Sequence, residues 1–311
     1  MSEPATQLEA NSLVRARSSV GDFALTVCTD GTYLLDGGAM FGVVPKTLWQ
    51  KRIPANADNQ ILLGLNSAVV RTGRHTVVIE TGVGNKQTPK MREIFRNQEL
   101  LLQSYAAAGV DPAEVDIVIN THLHFDHCGW NTTLHPDGSV TPTFPNARYF
   151  AHAGEVAHGH LQLDRDRVSY LSPNYDPLIA SGQMTLLDES SFAGPAATAE
   201  ICPGISVELF PGHTAQMMAV HIAPPRPAES RPSGSSPSPH ACYAGDLVPT
   251  AHHLDPTWVM GYDLDPLRCI EERKRLYTRA IPEHWLLLFT HDHDTPTARI
   301  TLNDKGKPVV A

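Results

Sequence analysis

The chain has 311 residues, of which 41% are hydrophobic, and a formal net charge of −9 at pH 7. That apolar content is enough for a sizeable core and excludes a disordered chain, while the acidic balance opposes a nucleic-acid partner, which needs a concentrated basic patch. No apolar run reaches the length of a membrane span, residues 1–19 lack a signal-peptide core, and the five scattered cysteines show no disulfide or thiolate-zinc spacing, so a cytoplasmic protein with reduced thiols is expected.

Residues 1–20 read as a flexible N-terminal arm and residues 21–311 as one domain. Two apolar runs, 23–28 and 33–35, flank Thr29-Asp30-Gly31-Thr32, a hairpin signal with glycine in the turn. Gly37-Gly38 then opens a loop carrying Phe41 and Trp49. These aromatics suit a substrate-facing flap or a packed core. A second hairpin, 61–70 with 76–79, turns at Thr72-Gly73-Arg74. Residues 91–108 have helical spacing and stop at Gly109, a suitable C-terminal cap. Asp111-Pro112 caps and opens a very short helix.

The next segment carries the chemistry. Residues 115–119 are short, apolar and β-branched, which predicts a buried strand. Directly after it comes Thr121-His122-Leu123-His124-Phe125-Asp126-His127-Cys128-Gly129. At a strand end His122 and His124 turn to the same side, because strand side chains alternate. Gly129 is read as backbone freedom at the exit, and Cys128 as a small space-filling residue. Imidazole and carboxylate are the ligands of borderline divalent metals such as zinc. Burying such groups without a partner is costly. A metal site follows.

Residues 148–152 predict a strand, 154–160 and 165–171 short helices, and 201–210 a strand or hairpin ending at Pro211-Gly212-His213-Thr214. A strand over 217–222 precedes a Pro/Ser-rich stretch, 223–239, which cannot pack a core and reads as a surface loop. The strand at 241–244 ends at Gly245-Asp246. A helix runs from Asp265-Pro266 to about Ala280, and a strand at 285–289 ends at Thr290-His291-Asp292-His293. One pattern recurs: a strand, then a metal-type residue, at His122, His213, Asp246 and His291. Strand ends converging on one edge give a site on a rigid scaffold.

The ordered set Thr-His-Leu-His-Phe-Asp-His, Pro-Gly-His-Thr, Gly-Asp after a strand and a strand-terminal histidine resembles the metallo-β-lactamase superfamily, from about Phe23 to Ile300. The resemblance implies an α/β protein with a four-layer αββα sandwich in a single domain. It further implies two divalent ions, zinc foremost, with manganese, iron or cobalt also acceptable. His122, His124 and His213 would hold the first ion, and Asp126, His127 and His291 the second, with Asp246 between them. His293 competes with His291. Glu80 stands where the family usually has aspartate. The implied chemistry is hydrolysis by a hydroxide shared between the ions, with Asp126 and Asp246 as catalytic groups.

Within the superfamily, the chain is most similar to the lactonase and organophosphate-hydrolase branch, whose substrates are small lactones, esters or phosphotriesters, and in which homodimers are common. Some lactonases place a tyrosine three residues after the bridging aspartate. Here that residue is Pro249, and Tyr262 or His253 would stand in. The alternatives are a glyoxalase II-like thioesterase and a ligand-binding protein without turnover.

Overall fold

The structure, a computed structural model, describes residues 13–225 and 239–311. The first half of the chain supplies β1 (Val14–Val20), β2 (Phe23–Asp36), β3 (Gln60–Arg71), β4 (Thr76–Ile79), β5 (Ile117–Ile119), β6 (Thr132–Leu134), β7 (Val140–Pro142), β8 (Arg148–His152) and β9 (Met184–Leu187). All but β6 and β7 form a seven-stranded sheet in the order β1-β2-β3-β4-β5-β8-β9, and β6 and β7 pair as a small ribbon. The second half supplies β10 (Thr198–Cys202), β11 (Ile205–Leu209), β12 (Met218–Ile222), β13 (Ala241–Tyr243), β14 (Leu286–Leu288), β15 (Thr297–Leu302) and β16 (Pro308–Val310), a second seven-stranded sheet in simple sequence order. The helices are α1 (Gly37–Phe41), α2 (Lys46–Trp49), α3 (Pro89–Phe95), α4 (Leu101–Ala107), α5 (Phe125–Cys128), α6 (Ala153–Leu161), α7 (Asp176–Ala180) and α8 (Pro266–Ala280). No helix among the described residues is long and apolar enough to cross a membrane.

Strand periodicity explains the layering. Along β4 and β5, Val77, Ile79, Ile117 and Ile119 face one way and meet Val207, Val220, Ile222 and Tyr243 of the second sheet. Val78 and Val118 face the other way, against Leu101, Tyr105, Val156 and Leu178 of α4, α6 and α7. On the far side, Leu276, Tyr277 and Ala280 of α8 cover Phe210, Cys242, Leu287 and Phe289. Strands buried on both faces read as continuous apolar runs rather than alternating ones. The result is the αββα sandwich that the motifs implied.

Several local expectations change. Val14–Val20, expected in the flexible arm, form β1 and pair antiparallel with β2. An edge strand is held by backbone hydrogen bonds, so its polar Arg15, Arg17, Ser18 and Ser19 gave no apolar signal. Residues 1–12 lie outside the described residues, as do 226–238 of the Pro/Ser-rich stretch. The strands flanking that stretch are neighbours, pairing Ile222 with Ala241.

The expected hairpin at residues 29–32 is a bulge inside one long strand, where pairing with β3 jumps from Thr29–Asn66 to Thr32–Gly64. It turns the Asp30 carboxylate inward. There Asp30 accepts hydrogen bonds from the backbone N–H groups of Val83, Gly84 and Leu101 and from Trp130 Nε1, at 2.9–3.3 Å. The helix expected over 91–108 is two helices, broken at Arg96 with φ of 47°. The linker between them docks on the bulge, with Thr32 N donating to Gln98 Oε1 at 3.1 Å. In place of a helix over 165–171 there is a single tight turn, Arg167–Ser169.

Phe41, Trp49 and His253 are core residues and not a flap or a substrate contact. The glycine loop is α1, capped by Asp36, whose side chain accepts from Ala39 N at 2.8 Å. Phe41 lies stacked between Trp49 (5.4 Å) and His253 (4.7 Å), and all three are at most 1% exposed. The His253 ring is fixed by Thr250 Oγ1 and by the Met40 carbonyl, both at 2.8 Å.

Burial, and then the neighbouring Arg273 guanidinium, push the His253 imidazole down to about 3. The ring is neutral in the fold but gains a proton in the unfolded chain below the ordinary value of about 6.5. Its contribution is therefore complete above about pH 6.5 and is lost as pH falls toward 3. His253→Ala is expected to lower unfolding stability by about 2–4 kcal/mol at pH 7.5. In thermal or denaturant melts the gap to wild type should narrow at pH 4.5; an equal gap at both pH values contradicts the assignment.

Candidate metal centre

Five strand ends supply the site. β4 and β5 run parallel in the first sheet, and β13 and β14 in the second. Their C-terminal ends therefore share an edge, where β4 leads to Glu80, β5 to His122 and His124, β13 to Asp246 and β14 to His291, and β11 leads to His213. Backbone bonds lace the two sheets together here: Met218 N donates to Thr121 O at 2.9 Å, and Asn66 N to Thr290 O at 2.8 Å.

The His-rich loop folds back on residues 80–84. Thr81 N donates to His127 O and Gly129 N to Gly82 O, both at 2.7 Å. Gly129 is right-handed, with φ of −62°. It is glycine for want of space, since a Cβ there would lie 2.0 Å from the Val83 carbonyl carbon. Gly84 faces it with φ of +67°, and its Cβ would lie 2.2 Å from Gly129 O. Either side chain would push the two loops apart.

Two of the three groups whose ligand atoms lie within 4.8 Å of one another match the sequence candidates, His122 with His124 and His213, and Asp126 with His127 and His291; the third joins Glu80 to His122 and His127. Asp246 lies between the first two groups. Its Oδ2 is 3.4 Å from His213 Nε2, and its Oδ1 is 3.5 Å from His127 Nε2 and 3.2 Å from His291 Nε2. The structure thus brings all seven sequence candidates together. His293 is outside all three groups; it is half-buried, and its carbonyl accepts from Arg15.

Hydrogen bonds on the far side of each ring fix which nitrogen faces the centre. His213 Nδ1 donates to Asp263 Oδ1 at 3.0 Å, and His291 Nδ1 to the Gly64 carbonyl at 3.1 Å. Both acceptors lack a proton to give, so the Nε2 lone pairs are directed inward. There His213 Nε2 meets His124 Nδ1, and His291 Nε2 meets His127 Nε2, each at 3.2 Å. His122 Nε2 and Asp246 Oδ1 are buried without a hydrogen-bond partner. Burial first, and then neighbouring histidines, hold His122 and His124 well below the ordinary imidazole value, in the neutral form that binds metal. Burial, outweighed by the Asp246 carboxylate, leaves His127 and His213 above the ordinary imidazole value, so Asp246 and these rings attract a shared positive charge that a divalent cation would supply in place of the protons. The donor set fits two such ions.

The sequence profile of the metallo-beta-lactamase superfamily matches residues 62–291. The chain belongs to this superfamily. Among solved structures, a probable metal-dependent hydrolase from Staphylococcus aureus is 27% identical, with a TM-score of 0.78 over 94% of this chain and 99% of that one. AidC, a dizinc quorum-quenching lactonase bound to its product N-hexanoyl-L-homoserine, is 17% identical, with a TM-score of 0.72 over 96% and 98%. AbOPH, a hydrolase in the β-lactamase superfamily, is 18% identical, with a TM-score of 0.72 over 94% and 95%.

In this superfamily member Glu80, with φ of 61°, accepts from Thr121 N at 2.7 Å and places Oε2 3.6 Å from His127 Nδ1. Four supporting residues gave no signal in the sequence. Tyr33 OH donates to Asp126 Oδ2 at 3.0 Å. Asp263 orients His213. Glu155, fully buried on α6, accepts from Leu123 N at 3.2 Å, Thr214 Oγ1 at 2.5 Å and Tyr170 OH at 3.2 Å. It thereby ties the His122–His124 segment to the residue after His213, and Tyr170 packs edge-on against His124 at 4.9 Å.

A cavity of about 460 Å³ opens above the cluster, lined by His124, Asp126, His213, Asp246 and His291 at its floor, with Tyr33 and Tyr262. Of the substrate-contact candidates, Tyr262 lines this cavity, while Phe41, Trp49 and His253 do not.

Outer partners of metal ligands typically change metal affinity 10–100-fold. Glu155→Gln is expected to weaken binding of the ion held by His122, His124 and His213 by about tenfold or more. Competition with a chromophoric chelator, on protein checked for native circular dichroism, measures this. Unchanged affinity for both ions in a folded variant contradicts the positioning role.

Proposed function

We propose that this chain is a binuclear metal-dependent hydrolase that opens lactones or cleaves small esters or phosphotriesters, with zinc as the foremost metal. The observation that carries the reading is the Asp246 carboxylate, whose two oxygens face His213 on one side and His127 and His291 on the other. One carboxylate shared by two ligand groups suits a pair of ions a few ångströms apart. Such ions, when bound, would supply an activated water at neutral pH and polarise the substrate oxygen.

The chain's own groups supply the rest. Burial, outweighed by His291, His127 and His213, leaves Asp246 well below the usual carboxylate range, so it stays ionised. Asp126, held by the Tyr33 hydroxyl, orients the attacking water and accepts its proton. With Pro249 where some lactonases have tyrosine, Tyr262 takes the role of donor to the substrate carbonyl. Its phenol makes no hydrogen bond to another described residue. Burial and the nearby Asp126 charge push it up to about 12, so it keeps its proton. The five cysteines are all buried free thiols, which supports a reducing, cytoplasmic setting.

The direct test is a hydrolysis panel of a lactone, an aryl ester, a phosphotriester, a β-lactam and a glutathione thioester, each with and without chelator. Chelator-sensitive turnover of one of the first three is expected, and Asp246→Asn should reduce it at least about 100-fold while the protein stays folded. Preference for the thioester would reassign the chain to the glyoxalase II-like reading. Silence on every substrate with two metals bound would favour a binding protein. Tyr262→Phe should lower kcat/KM about tenfold, the loss of one hydrogen bond, at unchanged metal content; wild-type rates in that variant would remove Tyr262 from the reaction.

A further inference from the structure

The walls of the cavity differ in chemistry. α3 presents Met91, Ile94 and Phe95 to the cavity, and Leu35, Met40 and Phe125 add to this apolar lining. Arg165 also lines the cavity, beside Tyr262, its Nη2 donating to the Gly261 carbonyl at 2.5 Å. Lys90, from the first turn of α3, also lines the mouth. Every acidic side chain of the lining is engaged elsewhere: Asp126 and Asp246 belong to the metal cluster, and Asp166 is bonded to His158 Nε2 at 2.6 Å. Arg165 and Lys90 form no ion pair with another described residue, although the chain carries a net charge of −9. Two unpaired cations beside an apolar wall, above a site that fits divalent metal, have a defined complement.

We propose that the site selects an amphiphilic, anionic substrate: an ester or lactone whose hydrocarbon arm lies along the α3 wall and whose carboxylate is met by Arg165, with Lys90 adding to the attraction at the mouth. This rests on the hydrolase reading and narrows its substrate class. A guanidinium matches a carboxylate through two parallel N–H donors, which gives orientation as well as attraction. Arg165 is exposed, so that attraction is screened by salt. Each methylene buried along the apolar wall adds about fourfold in affinity.

The test compares phenyl hexanoate with 3-carboxyphenyl hexanoate, which share the apolar arm and differ in the charge on the alcohol part. Zinc-loaded wild type is expected to prefer the carboxylated ester in kcat/KM, less so at 0.5 M salt. Arg165→Gln should reduce that preference about tenfold, through KM. A parallel fall for both esters, or no preference in wild type, overturns the proposal. The second readout does not need turnover: calorimetric titration with 3-(hexyloxy)benzoate, an uncleavable ether, should give about tenfold weaker binding to Arg165→Gln, and equal binding overturns the proposal. If neither ester is cleaved in a chelator-sensitive way but the ether still distinguishes the two proteins, it is the hydrolase reading that fails.

Discussion

The architecture depends on one electrostatic constraint. The Asp246 carboxylate and the ring nitrogens of His213, His127 and His291 are crowded within 3.2–3.5 Å in a buried pocket. Such crowding persists only where the surrounding fold over-determines it, and the same donors would suit a divalent cation. The fold does so by redundancy. Parallel pairs in each sheet bring strand ends to one edge, cross-sheet backbone bonds hold the edges in register, and carbonyl or carboxylate acceptors fix the histidine tautomers from behind. The three apolar layers provide the stiffness. Without them the five loops would relax apart and the donors would take up water instead.

The parts of this arrangement that were legible in the sequence share a cause. His122, His213, Asp246 and His291 each follow an apolar run read as a strand or, before His213, as a strand or hairpin, so position and chemistry were encoded side by side. The layers followed from the same runs. What was not legible is held by contacts distant in the chain. Asp30 converts an apparent turn into a bulge because Val83, Leu101 and Trp130 come to meet it. Glu155 and Asp263 look like ordinary surface acids until the fold buries them beside Thr214 and His213. β1 carries too little apolar character to announce itself. The aromatics of residues 41 and 49 could not be assigned to core or cavity from spacing alone, and packing against His253 decides for the core.

Gly129 illustrates how a correct residue can be read for the wrong reason. Its backbone is ordinary, and only the passage of Val83 and Gly84 within a Cβ's reach explains it. The same contact shows that the His-rich loop is not an independent motif. It is half of a clasp whose other half, residues 80–84, carries Glu80 to His127.

The segment around residue 261 joins two tasks that could have been kept apart. Asp263 orients His213 while also accepting from Met260 N at 2.9 Å. Two residues earlier, the Gly261 carbonyl fixes Arg165, and Tyr262 between them faces the cavity. Under the proposed reading, variation here that retuned which molecule is admitted would also disturb how His213 is held. New specificities in relatives of this chain should therefore arise more readily through α3, which contributes no group to the cluster although Phe95 stacks on Phe125, and the 260–263 segment should drift slowly even where substrates diverge.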